Sequence, residues 1–148
     1  MKNVSACFNI AIVVSRFNEE ITQKLHEGAV SRLYELGFTS EQVKVIIVPG
    51  AIEIPITAQR LANTKEYQAI IALGAVIQGE TKHFDYVCQQ VSLGCQTVAL
   101  THDIPVIFGV LTTDTEEQAY DRVGGKHSHK GREAADAAFE LVKTLNEI

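Results

Sequence analysis

The chain has 148 residues, 46% hydrophobic and 21% charged, enough apolar material for one compact domain with a sizeable core and no expected disorder. Its 13 basic and 18 acidic residues sum to a formal charge of −5, which argues against a general binder of nucleic acid or of a membrane surface. No apolar run approaches the roughly 20 residues that cross a bilayer, and residues 1–8 lack the basic and apolar regions of a secretion signal, so a cytoplasmic protein is expected.

From the amino end, Phe8-Asn9-Ile10-Ala11-Ile12-Val13-Val14 is a nearly continuous apolar run, the pattern of a strand buried on both faces of a parallel sheet. Ser15-Arg16-Phe17-Asn18 closes it. Asn18 is placed to cap a following helix, with Glu19 and Glu20 in the first turn, where the helix dipole favours negative charge. Ile21, Leu25, Ala29, Leu33 and Leu36 then form a core-facing stripe that Gly37 stops.

Residues 43–48 read as a second strand ended by Pro49-Gly50. Ala51-Ile52-Glu53 follows, and Pro55 suits the first turn of a helix to about Asn63, which leaves Glu53 just beyond a strand's carboxyl end. Residues 67–75 are the third strand. Its continuation, Gly74-Ala75-Val76-Ile77-Gln78-Gly79-Glu80-Thr81-Lys82-His83, is expected to break at both glycines and pass into a long helix reaching about Leu100, with Phe84, Val87, Val91 and Val98 on its apolar face.

Free N–H groups at such a helix start, backed by the positive end of the dipole, suit a phosphate or carboxylate. His83 stands in the first turn of this helix, where the dipole disfavours a cationic imidazole and leaves it fit to accept a proton.

Residues 106–111 are the fourth strand, and Thr115 with Gln118 forms a capping box for a short helix to about Arg122. Gly124-Gly125 ends it, Lys126-His127-Ser128-His129-Lys130-Gly131-Arg132 is a polar basic turn, and a last helix carries Ala134, Ala138, Val142 and Leu145 inward. His127 and His129 are expected to face solvent, and with His83 they lack the carboxylates or thiolates of a metal set. Cys7, Cys88 and Cys95 are expected as reduced thiols. Cys88 and Cys95, seven residues apart on one helix, are roughly 10 Å from each other and beyond disulfide reach.

Strands alternating with helices predict a parallel sheet of four strands covered on both faces, a three-layer α/β/α sandwich of flavodoxin-like kind. Ligands in such sheets lie beyond the carboxyl ends of the strands, where Phe17-Asn18, Ala51-Ile52-Glu53 and the segment from Val76 to His83 converge, with Thr112 to Asp114 following the fourth strand.

These pieces together resemble the lumazine synthase family. Val14-Ser15-Arg16-Phe17-Asn18, Val48-Pro49-Gly50-Ala51-Ile52-Glu53-Ile54-Pro55, the stretch from Gly74 to Val87, the stretch from Pro105 to Thr112, and Gly125-Lys126 with Lys130-Gly131 stand in the family's order over nearly the whole chain. The resemblance implies joining of 5-amino-6-(D-ribitylamino)uracil to 3,4-dihydroxy-2-butanone 4-phosphate, with loss of phosphate and water and no metal or organic cofactor. It gives Phe17 the pyrimidine ring, Ala51, Ile52 and Glu53 the ribityl chain, and Gly79, Glu80 and Thr81 the phosphate, with Val76, Ile77 and Gln78 as further substrate contacts. His83 would move protons, while Phe108, Arg122 and Lys130 would come from a neighbouring subunit, Arg122 countering the phosphate.

The resemblance also implies a homo-oligomer, a pentamer that in some members closes into a sixty-subunit shell. Two positions depart from the pattern. His127-Ser128-His129 replaces a usual Ala-Gly-Asn before Lys130, and Ile52 stands where an aromatic residue is frequent. A non-catalytic flavin-like binder or shell protein of the same fold is the alternative; a flavodoxin-like electron carrier would need a hydroxyl-rich phosphate loop after the first strand, which Ser15-Arg16-Phe17-Asn18 does not supply.

Overall fold

The computed structural model describes residues 8–126 and 128–148. Strands β1 (Ile10–Ser15), β2 (Val43–Val48), β3 (Ala69–Ile77) and β4 (Val106–Thr113) form one parallel sheet in the order β2-β1-β3-β4. Between and after them run helices α1 (Glu19–Glu35), α2 (Ile54–Thr64), α3 (His83–His102), α4 (Glu116–Tyr120) and α5 (Lys130–Asn146). The chain steps from β1 outward to β2, then back across to β3 and on to β4. Right-handed crossovers therefore place α1 on one face and α2 and α3 on the other, and α5 packs beside α1.

The alternation along β1 divides the core accordingly. Ile10, Ile12 and Val14 meet Leu25, Ala29, Leu33, Ala134, Ala138 and Val142 of α1 and α5. Ala11 and Val13 face Ile54, Ala58, Val91, Cys95 and Val98 of α2 and α3. The result is the three-layer, flavodoxin-like sandwich expected from the αβ alternation. The direction of strand succession reverses between β1 and β3, so a crevice opens beyond their carboxyl ends.

Four local expectations are corrected. Gly74 does not end β3: it continues to Ile77, and Gly74 is needed because a Cβ there would lie 2.8 Å from Ser15 Oγ on β1. Asn18 occupies the N-cap of α1 but caps nothing with its side chain, which instead donates from Nδ2 to the Ala75 carbonyl at 2.8 Å. His129 does not face solvent; it is half-buried and caps α5, which begins at Lys130 inside the segment expected to be a turn. Leu145 is exposed near the carboxyl end of α5 rather than packed. The capping box at Thr115 is present, Thr115 Oγ1 accepting from Gln118 N–H at 3.1 Å and Gln118 Oε1 from Thr115 N–H at 3.2 Å.

Cys88 and Cys95 are free thiols, and burial pushes Cys95 up to about 11. Cys7 and His127 lie outside the described residues. Among the described residues no helix is long and apolar enough to cross a membrane.

Candidate active site

A cleft of about 440 Å³ opens at the carboxyl edge of the sheet and is lined from three loops at once. Phe17 follows β1, Gly50 to Glu53 follow β2, and Ala75, Val76, Ile77, Gly79, Thr81 and His83 come from the end of β3 and the start of α3. Phe84 and Val87, from the first turns of α3, complete the wall. These two, with Gly50 and Ala75, were not singled out from the sequence; the helical spacing that assigns Phe84 and Val87 to the core also turns them toward the cleft.

The Phe17 ring is 72% exposed, an apolar face with no protein partner to cover it and so a platform for a planar ligand. Opposite, Glu53 ends a single 3₁₀ turn whose geometry folds its carboxylate back: Oε1 accepts the Gly50 N–H at 3.2 Å, which fixes the side chain and leaves Oε2 for a hydroxyl donor. Pro55 in the first turn of α2 sets the backbone immediately after it.

The third loop leaves backbone donors free. The His83 N–H donates to Thr81 Oγ1 at 3.3 Å, whereas the N–H groups of Gly79, Glu80 and Thr81 have no hydrogen-bond partner among the described residues. They precede a 20-residue helix whose dipole places partial positive charge at this end. Gly79 has no left-handed φ, and a Cβ there would meet nothing within 4 Å. The fold does not require a glycine at this position; its effect is open space over the amides. The exposed His83 imidazole lines the same hollow. Gln78 and Glu80 stand on the exposed rim and do not line it, Gln78 N–H being bound to the Thr113 carbonyl at 2.9 Å.

Arg122 and Lys130 are elsewhere. They line a second, more polar cleft of about 520 Å³ with Thr112, Thr113, Asp114, Gln118 and Asp121, beyond the end of edge strand β4. Phe108 is half-buried on β4 and lines neither cleft. Within one chain the two groups thus do not meet. Among the described residues no three His, Cys, Asp or Glu side chains gather at metal-ligand range.

A stacking platform, a held carboxylate, an unpaired set of amides and an imidazole around one hollow fit a bimolecular reaction of a planar amine with a phosphorylated partner. Comparison with known proteins gives the same direction. The family model for 6,7-dimethyl-8-ribityllumazine synthase matches residues 7–146. Proteins named 6,7-dimethyl-8-ribityllumazine synthase from the Nine Mile phase I and Dugway strains of Coxiella burnetii are each 57% identical to it over 141 residues, 95% of this chain and 93% of theirs. With the match running through every loop that lines the cleft, the chain belongs to the 6,7-dimethyl-8-ribityllumazine synthase family.

Proposed function

We propose that the cleft binds 5-amino-6-(D-ribitylamino)uracil against Phe17 and 3,4-dihydroxy-2-butanone 4-phosphate against the amides of 79–81, and joins them to 6,7-dimethyl-8-ribityllumazine with release of phosphate and water. The carrying observation is the convergence of Phe17, Glu53, Thr81 and His83 from three separate loops on one hollow. Holding two substrates face to face supplies on the order of 7–11 kcal/mol of barrier lowering when the geometry is close to that of attack.

Glu53 Oε2 accepts from the ribityl hydroxyls, and Ala51 and Ile52 form the floor beneath them. The Thr81 hydroxyl and the amides of Gly79, Glu80 and Thr81 hold the phosphate, while Val76 and Ile77 flank it. His83 takes the proton from the attacking amine and returns it to the carbinolamine oxygen that leaves as water. Charge grows on the departing phosphate, and a guanidinium stabilises that better than it does the ester. Arg122 serves this role from a second copy of the chain, with Lys130 at the polar side of the pair and Phe108 as an outer wall.

A homo-oligomer, a pentamer in our reading, follows from that division of labour. It is supported by a stripe on α3, where Tyr86, Leu93 and Leu100, spaced seven residues apart, are 67%, 69% and 75% exposed. A reducing cytoplasm suits the free thiols Cys88 and Cys95. A protein that merely bound a flavin-like ligand would have no use for a proton acceptor beside an anion cradle.

Mixing purified protein with both substrates and following lumazine absorbance and phosphate together tests the reading. Equal amounts of both products are expected, with a solution mass several times that of one chain by light scattering. Phosphate without lumazine, or a protein that turns over as a monomer, would defeat it.

A further inference from the structure

Helices α1 and α5 approach so closely that glycines are needed on both, at Gly28 and Gly131. A Cβ on Gly131 would overlap the Leu25 carbonyl, and one on Gly28 would overlap the imidazole of His129. His129, in extended backbone at φ −121°, ψ 101°, is the N-cap of α5, and its Nδ1 accepts the Arg132 N–H at 3.3 Å. A ring nitrogen that accepts carries no hydrogen, so the cap requires the neutral imidazole with its hydrogen on Nε2.

The same residue ends a strap. His129 forms an isolated antiparallel bridge with Val123, the Lys130 N–H donates to the Arg122 carbonyl at 2.7 Å, and the Gly124 N–H donates to the Ser128 carbonyl at 3.0 Å. Arg122 and Lys130 are thereby fastened to each other, and the wedge of His129 against Gly28 fastens both to α1.

We propose that His129 is a positioning residue, whose neutral ring in the Gly28 notch sets the reach of Arg122 and Lys130 and whose protonation releases them. This rests on the roles given to Arg122 and Lys130 above. A hydrogen on Nδ1 would confront the Arg132 N–H and add positive charge at the positive end of α5. The charged groups that act on the ring are Lys24 from α1 and Arg132 and Glu133 from α5, and on the side of the turn it meets Gly124. Burial first, then Arg132, hold the ring below the ordinary imidazole value of 6.5, with Lys24 acting the same way; the opposing pull of the ring's own backbone hydrogen bond and of Glu133 is smaller. The clamp is therefore closed at neutral pH and opens only on the acid side.

Hydrogen exchange of the amides at 128–133, measured by mass spectrometry beside kcat/KM across the acid range, tests this with four variants. In the wild type, the protection of these amides, their observed rate taken relative to the intrinsic rate at each pH, is expected to fall as pH drops below 6.5, and kcat/KM to fall with it. H129N, whose carboxamide oxygen caps without titrating, should keep its protection through that window and lose less of its kcat/KM than the wild type. H129A should exchange fast at all pH and be slower by about tenfold, the rate equivalent of one N-cap, with most of that recovered in H129N. A wild-type protection that does not change with pH, or an H129N that responds as the wild type does, overturns the clamp. R122A and K130A turning over at the wild-type rate would instead overturn the roles on which the catalytic half rests, and leave the exchange result standing.

Discussion

Asn18 Nδ2 donates to the Ala75 carbonyl at 2.8 Å, which clips the loop carrying Phe17 to the strand end carrying Val76 and Ile77. Asn18 does so from a left-handed backbone, φ 63° and ψ 51°, that asparagine tolerates and alanine does not. N18A is therefore expected to lose about 2 kcal/mol, from the bond and from the strain together. N18G should recover the backbone part only. Both variants should show a raised KM for ribitylaminouracil, because the Phe17 platform is no longer tied to β3. Thermal melts and steady-state kinetics check this, and N18G with the wild-type KM would show that the clip does not position Phe17.

His83→Ala removes the proposed proton acceptor without touching the core, since the side chain is exposed. Turnover is expected to fall on the order of 10²-fold at an unchanged melting temperature. Arg122→Ala should act mainly on KM for the butanone phosphate. Wild-type kinetics in both would reject the role assignments.

Gly79→Ala separates folding from binding. Nothing lies within 4 Å of the added methyl and the backbone is not left-handed, so stability should stay within about 0.5 kcal/mol of the wild type. The methyl occupies the space over the free amides, so KM for the butanone phosphate should rise and KM for the amine should not. Denaturant titration and the two KM values settle it; an unaffected butanone phosphate KM would place the anion elsewhere.

Acid stability should depend on Glu35. Its carboxylate accepts from Arg132 at 2.8 and 2.9 Å and from Arg32 at 3.2 Å, and these bonds, Arg132 first, hold it down to about 2. A depressed carboxylate contributes stability that is complete above its unfolded value of 4.5 and lost as pH falls toward about 2. E35Q should melt lower than the wild type at pH 6, with the gap closing between pH 4.5 and about 2. A gap that stays constant through that window would mean the bonds add nothing.

Much of this was legible in the chain because the deciding signals were local. The apolar runs of β1 to β4 and the stripe of Ile21, Leu25, Ala29 and Leu33 need no knowledge of their partners, and the loops they bound converge wherever a parallel sheet forms. Three of the four errors have one cause, a contact distant in sequence. Gly74 reads as a breaker until Ser15 is seen beside it. Asn18 reads as a cap until Ala75 competes for its amide. His129 lies in a polar run that reads as solvated, and only the absence of a side chain at Gly28, on another helix, makes room for its ring. Arg122 and Lys130 were legible only through the family pattern, since within the chain they face away from the cleft.

Helix α3 meets α2 with no slack: a Cβ on Gly94 would stand 2.6 Å from Pro55 Cβ, and Pro55 lies two residues after Glu53. The helix is thus a partition with a tenant on either side. Its inner surface and leading end frame the hollow through Val87, Phe84 and His83, and its outer surface offers Tyr86, Leu93 and Leu100 to whatever covers them. Gly94 leaves α3 no room to shift toward α2 without moving Pro55, two residues after Glu53. In the oligomer proposed above, a neighbour seated on this wall would lie one helix away from the hollow, and surface changes at Leu93 should then be felt in turnover.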